Sequence, residues 1–300
     1  MKLITMNRSL TQLHLERHFQ IDHMPKPLSV RDTLKQWLVP KKWQHELRIN
    51  RSILVNGEYI SYNNLIQNGD QIDLTLDTDI KVQHYLPAPT VNFQVIAENS
   101  DLIIVDKPQG IKTHPNRPDE NGTLYNELVT YLDTPPLMLH RLDMLTSGLI
   151  MIGKDPLVVP ILERQLARKT MQRNYVAVTT FNSKLPLSGV IDGPIGLDPA
   201  DKRKRKVTAD GLTAQTHYEI LQHNDQYALV KLCLETGRTH QIRVHLASQK
   251  MAIVGDPLYS DIIADRMYLH AYQITYYLPF DWKFETVECL IPQSFKIITK

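Results

Sequence analysis

The run Gly148-Leu149-Ile150-Met151-Ile152-Gly153 constrains the fold most, because it is unbroken apolar sequence held between two glycines. A short run of this kind, bounded by turn signals, reads as a buried strand. Leu102-Ile103-Ile104-Val105, β-branched and bounded by Asp101 and Pro108, reads as a second core strand. Strand patterns recur at 175–179, 216–220 and 227–234. Helical spacing in this part of the chain is confined to 124–132 and 157–170, where Pro160 marks a helix start rather than an interior. Many strands with few helices describe an α+β domain around a mixed, largely antiparallel sheet.

Immediately before the first run stand His140-Arg141-Leu142-Asp143 and Thr146-Ser147-Gly148. If this segment is extended, Arg141 and Asp143 point to one side. A carboxylate at a strand end with a cation nearby is a common way to build an acid–base or nucleophilic site. An isolated Arg-x-Asp is more often a surface ion pair. The kinase catalytic loop also begins His-Arg, but it needs Asp directly after the Arg and a Gly-rich phosphate loop, and no G-x-G-x-x-G occurs here.

Three hundred residues suggest two domains, or one large domain with an appendage. The net charge of +2 and a pI near 8.4 exclude nucleic-acid binding by global charge, so any such binding must use local basic patches. Cys233 and Cys289 form no C-x-x-C and no disulfide framework, and no apolar run reaches membrane-spanning length. A reducing, cytoplasmic setting is the simplest expectation. Residues 1–26 show no clear period. His14, His18 and His23, set among Glu16, Arg17 and Gln20, read as a solvated face or a small strand rather than a zinc site.

Residues 27–80 read as a compact αα-β module. Ser29, three before Asp32, starts one helix; Pro40 starts a second, with Trp43, Leu47 and Ile49 as its apolar side. A strand then enters a turn at Asn56-Gly57, and a second strand begins at Gln71. Lys41, Lys42, Arg48 and Arg51 cluster in and after the second helix: a solvated face, or phosphate contacts. Prolines at 87 and 89 mark 81–90 as a linker. Lys202-Arg203-Lys204-Arg205-Lys206 reads as a mobile loop able to touch a nucleic-acid backbone.

The segment 140–148 resembles the signature of RluA-type RNA pseudouridine synthases. Further blocks resemble that family in the expected order over about residues 93–275: Asp106-Lys107-Pro108-Gln109-Gly110 with His114-Pro115, Arg173-Asn174-Tyr175-Val176-Ala177, Thr236 to His245, Gly255-Asp256-Pro257-Leu258-Tyr259, and Leu269-His270-Ala271. The 27–80 module resembles the small RNA-binding S4 domain in its Val-Asn-Gly and Gly-Asp-x-Ile elements, although its first helix lacks the usual leading Arg-Leu-Asp. The resemblance implies an N-terminal extension (1–26), an S4-like domain (27–80), a linker (81–90) and a catalytic domain of pseudouridine synthase fold (91–300).

It also implies the reaction. The bond from uracil N1 to ribose C1′ breaks, the base turns, and C5 bonds to C1′; no metal or cofactor is needed. Asp143 is the expected catalytic carboxylate, either attacking C1′ as in retaining glycosidases or removing the C2′ proton. Arg243 is its expected partner, although a surface strand arginine is the alternative, since Gln241, Arg243 and His245 alternate with Ile242 and Val244. Tyr175 is expected to stack on the uracil or assist at C5. Arg141 is expected to fill the gap left by a base drawn from its stack, with His140 as a structural neighbour. Glu235 reads as structural and Asp256 as a turn residue. His240 and His245, five apart with no third ligand evident, do not read as a zinc site. The expected partner is RNA, ribosomal RNA of the large subunit ahead of transfer RNA, acted on by a monomer. A non-catalytic RNA-binding protein of the same fold and a glycoside-type hydrolase releasing free uracil are the rivals.

Overall fold

A computed structural model describes residues 9–82, 85–132 and 135–297. The N-terminal part contains β1 (Ser9–Gln20), β2 (Leu28–Ser29), α1 (Val30–Gln36), α2 (Lys41–Ile49), β3 (Ile53–Val55), β4 (Leu65–Ile66) and β5 (Gln71–Val82). β1, β5 and β3 form an antiparallel sheet in that order, and β2 pairs with β4. The Ser29 hydroxyl accepts the Asp32 N–H at 3.1 Å and caps α1 as its spacing suggested. Asn56 and Gly57 have φ of 53° and 82°, the pair of positive values a type I′ hairpin turn requires.

Within the expected N-terminal extension, Ser9–Gln20 is a strand with His14 and His18 on its solvated face, but a longer and more regular one than the sequence suggested. β1 pairs with β5 along its whole length, and it does carry a period of two. Leu13, Leu15, Arg17 and Phe19 turn inward, while His14, Glu16, His18 and Gln20 are exposed. Arg17 on the inner row hid the alternation. The outer histidines sit opposite carboxylates: His14 meets Asp77 at 2.8 Å and His18 meets Asp73 at 2.7 Å. The expected boundary at residue 80 falls inside β5. The expected linker lies against the next helix, where the Ala88 N–H donates to the Asn126 carbonyl.

The remainder runs β6 (Gln94–Glu98), β7 (Leu102–Lys107), α3 (Leu124–Tyr131), β8 (Leu137–Met138), β9 (Ser147–Gly153), α4 (Val159–Ala167), β10 (Gln172–Thr180), β11 (Ser188–Asp192), β12 (Ile195–Leu197), β13 (Arg205–Val207), β14 (Gln215–His223), β15 (Tyr227–Leu234), α5 (Gln241–Ser248), β16 (Leu269–Tyr277), β17 (Phe284–Glu288) and α6 (Ser294–Ile297). The central sheet has the order β11-β14-β15-β10-β16-β9-β7-β6, with β17 beside β16 and β8 beside β9. Every pairing in it is antiparallel except β16 with β9. This is the mixed, largely antiparallel sheet of an α+β domain.

The apolar runs are explained by cover on both faces. Leu102, Ile104, Leu149 and Met151 join α4 and the N-terminal core residues Trp37, Leu47 and Ile72 in one apolar cluster. Ile103, Val105, Ile150 and Ile152 face the other way, against α3 and α5. Tyr175 and Ala177 of β10 share that second face. β10 and β16 slip register between Asn174 and Tyr175, a local bulge of the kind that re-aims a side chain.

Two segments correct the sequence reading. Residues 241–248 are a helix, not a strand. The alternation of polar and apolar residues misled because the polar ones are buried with partners: Gln241 donates to the Gln215 carbonyl and Thr216 Oγ1, and His245 meets Thr216 Oγ1 and the Gly193 carbonyl. The basic run at 202–206 is loop only in part: Lys202 to Lys204 lie in the turn, and Arg205 and Lys206 are in β13. Arg205–Val207 pairs with Ile195–Leu197, and Asp201 holds Arg203 at 2.7 Å.

Candidate active site

The segment 139–146 has no regular structure and is pinned from below. Thr113 Oγ1 donates to the Leu142 carbonyl at 2.7 Å and accepts the Leu142 N–H at 3.2 Å. Gly110 N–H donates to the Met144 carbonyl. Lys107 is fully buried, and its ammonium donates to the carbonyls of Pro108, Ile111 and Met144. Burial pushes its pKa down to about 8. So anchored, the segment buries Leu142 and turns Arg141 and Asp143 into one cleft, the shared face expected of an extended segment.

That cleft has a volume of about 380 Å³, within the range of small-ligand pockets. Tyr175, Arg173, Arg238, His240 and Arg243 line it with Arg141 and Asp143. Arg243, from the first turn of α5, donates to Asp143 Oδ2 at 3.2 Å. It is buried, and Asp256 grips it from behind with two bonds of 2.7 Å. A bidentate carboxylate fixes the plane of a guanidinium, so the face offered to Asp143 is preset. Asp256 is therefore more than a turn residue, although it is that as well, accepting the Leu258 N–H at 2.9 Å.

Tyr175 is buried among apolar neighbours, and burial raises its pKa, so it is a neutral phenol at physiological pH. His140 lines the cleft, but its Nε2 accepts the Met151 N–H at 3.1 Å. Burial pushes its pKa down to about 3. His140 thus ties the motif to β9. His240 heads α5 in a left-handed conformation, with Nε2 3.9 Å from Asp143 Oδ2.

Comparison with known proteins adds the family. Residues 101–248 match the model of RNA pseudouridylate synthase, and residues 17–72 match the RluD ribosomal pseudouridine synthase N-terminal domain. The chain is 34% identical to the Bacillus subtilis RNA pseudouridine synthase YhcT, over 82% of this chain and 84% of that protein. The chain belongs to the RluA-type RNA pseudouridine synthases.

It is also 30% identical to Escherichia coli ribosomal large subunit pseudouridine synthase D, over 76% of this chain and 68% of that one. The human RNA pseudouridylate synthase domain containing 1 shares the fold, with a TM-score of 0.57 at 22% identity over 68% of this chain and 85% of that one. The fold explains why the family's blocks are scattered along the sequence. Lys107 and Gly110 of the 106–110 block pin the Asp143 segment, and Asp256 of the 255–259 block holds Arg243. Leu269-His270-Ala271 runs parallel to Ser147-Gly148 and closes the sheet beneath the cleft.

Lys41, Lys42, Arg48 and Arg51 are exposed on and after α2 and do not line the cleft. Lys42 stands 3.6 Å from Glu46, and Arg51 lies over the Tyr59 ring. Among the described residues, Asp106, His270 and Cys289 bring three ligand-type atoms within 4.8 Å of one another. Hydrogen bonds already use that geometry: His270 meets Ser147 Oγ through Nδ1 and Cys289 Sγ through Nε2. Also among the described residues, no helix is long and apolar enough to cross a membrane.

Proposed function

We propose that this RNA pseudouridine synthase acts on large-subunit ribosomal RNA, with Asp143 as its catalytic carboxylate. The ion pair of Asp143 with Arg243, in a cleft shared with Tyr175 and Arg141, carries the assignment of the carboxylate. The RluD-type N-terminal match and the likeness to a ribosomal large subunit pseudouridine synthase D support the choice of RNA.

In this reading Asp143 acts at the sugar, attacking C1′ or taking the C2′ proton, while Arg243 balances its charge. Tyr175 lies against the uracil, and its phenol relays the C5 proton: the oxygen takes that proton as it passes its own to water. Arg141, exposed at the cleft mouth, enters the space left by the extruded base and lowers the cost of unstacking. His140 supports that segment from behind. Lys41, Lys42, Arg48 and Arg51 contact phosphates, which sets register without reading sequence. We further propose that β1 to β5 act as one RNA-binding, S4-like unit, that no cofactor takes part, and that the enzyme works as a cytoplasmic monomer.

A pseudouridine map of ribosomal and transfer RNA tests this. A strain lacking the gene is rescued with the parent or with Asp143→Ala. The expected result is a large-subunit site restored by the parent alone. Equal restoration by both would remove Asp143 from the chemistry, and a site found only in transfer RNA would overturn the choice of RNA.

A further inference from the structure

Tyr259 meets three parts of the site at once. Its hydroxyl accepts the Arg205 N–H at 2.7 Å, from the basic β12–β13 hairpin, and lies 3.0 Å from His240 Nδ1. Its ring lies 5.2 Å from the Arg243 guanidinium and 6.0 Å from the Lys204 ammonium. Its own N–H donates to Asp256 Oδ1, the carboxylate that grips Arg243.

The arrangement of donors and acceptors around this hydroxyl favours one His240 tautomer. A phenol has one proton to donate. The Arg205 N–H fills one acceptor site of the oxygen and leaves its proton free for His240 Nδ1, the ring nitrogen 3.0 Å away. The Asp143 carboxylate, 3.9 Å from Nε2, favours the same assignment: Nδ1 bare and the ring proton of the neutral imidazole on Nε2. Nε2 is the nitrogen nearest Asp143. Burial lowers the His240 pKa and raises that of Tyr259, so both groups are neutral near pH 7 and the arrangement persists there.

We infer that Tyr259 is a positioning residue for the isomerisation: its hydroxyl fixes the His240 tautomer that turns an N–H toward Asp143, and ties that histidine to the backbone of the basic hairpin. The inference rests on Asp143 being the catalytic carboxylate. A phosphate held by Lys204 and Lys206 then seats the Arg205 backbone, and through it Tyr259 and His240. RNA contact outside the cleft thereby sets the polar surroundings of Asp143.

Tyr259→Phe removes the hydroxyl and keeps the ring. In the free protein, long-range proton–nitrogen spectra of the histidine rings read the tautomer directly. The parent is expected to show His240 protonated on Nε2, and Tyr259→Phe a changed or mixed tautomer. The same tautomer in both proteins would overturn the inference. Single-turnover tritium release from 5-tritiated uridine in a large-subunit ribosomal RNA transcript reads the consequence. Tyr259→Phe is expected to slow the step about five- to tenfold, the scale of one neutral hydrogen bond, with RNA affinity unchanged. Lys204→Ala with Lys206→Ala is expected to lower rate and affinity in the parent but affinity alone in Tyr259→Phe. Equal rate losses in both backgrounds would overturn the link to the hairpin. The tautomer is read without RNA, so a transcript that the parent leaves unmodified counts against the ribosomal reading alone. The rate arm is then run on the RNA that the pseudouridine map identifies.

Discussion

At the scale of single residues, Lys107 shows how an ionisable group can serve the site from beneath. Its ammonium gathers three carbonyls from the two loops that frame Asp143. Its pKa falls from an ordinary 10.5 to about 8, with burial the largest cause and Asp143 and Asp106 opposing it. Between those values the unfolded chain holds more protons than the folded one, so this group makes stability rise with pH. In urea unfolding, the stability of the parent relative to Lys107→Met should be level below pH 8 and climb from there toward pH 10. A level difference throughout would mean that the ammonium stays well solvated. At pH 7 the substitution should cost roughly 1–3 kcal/mol, because it strips donors from buried carbonyls. Lys107 and Asp256 both stood in motif blocks of the sequence, yet their work was not legible there. Asp256 reads as a turn residue because it is one, and only the fold brings Arg243 against its second face.

At the scale of elements, the junction of β9 with β16 leaves no room for a side chain at Gly148. Gly148 has a φ of +110°, and a Cβ there would lie 2.1 Å from the Ala271 carbonyl oxygen. Gly148→Ala should therefore part the parallel pair, lowering stability by more than about 3 kcal/mol and abolishing isomerisation. Gly57→Ala is the control. Its φ is +82°, but nothing lies within 4 Å of the added atom, so the loss should be about 1–2 kcal/mol with activity kept. Chemical denaturation with single-turnover assays checks both, and similar losses at the two sites would show that backbone strain outweighs the clash. The sequence was readable where one period dominates, as in the apolar runs of β7 and β9 and in the helix from Leu124. It misled where polar residues sit in the core. Gln241, Arg243 and His245 mimic the outer face of a strand while filling a buried helix, and Arg17 breaks the inner row of β1.

At the scale of the whole molecule, Arg17 is the clamp between the N-terminal sheet and the central one. Its guanidinium takes both oxygens of Asp101 at 2.7 and 2.8 Å and reaches Asp155 at 2.9 Å. It also lies 5.0 Å from the Phe280 ring centroid, beside an aromatic group of Phe19, Trp37 and Trp282. Trp282 Nε1 donates to Gln36 at 2.8 Å across the same seam. The apolar cluster is continuous here, so the two sheets should unfold together in the parent. Arg17→Met keeps much of the apolar bulk but leaves the buried Asp101 and the half-buried Asp155 without their cation, a loss of about 3 kcal/mol concentrated at the seam. Hydrogen exchange should then show the amides of β1, β3 and β5 opening ahead of those in β7 and β9, and calorimetry a transition that broadens or splits. Uniform loss of protection would mean that the seam is no weaker than the cores on either side. The same variant separates two roles of the N-terminal part. The clamp holds the exposed cations of α2 in fixed relation to the cleft, so phosphate contacts there should strengthen RNA binding without entering the chemistry. Arg17→Met is accordingly expected to weaken RNA affinity while leaving the single-turnover rate at saturating RNA near that of the parent. A fall in that saturated rate would instead show that the strain of the loosened seam reaches Asp143 through β7 and β9.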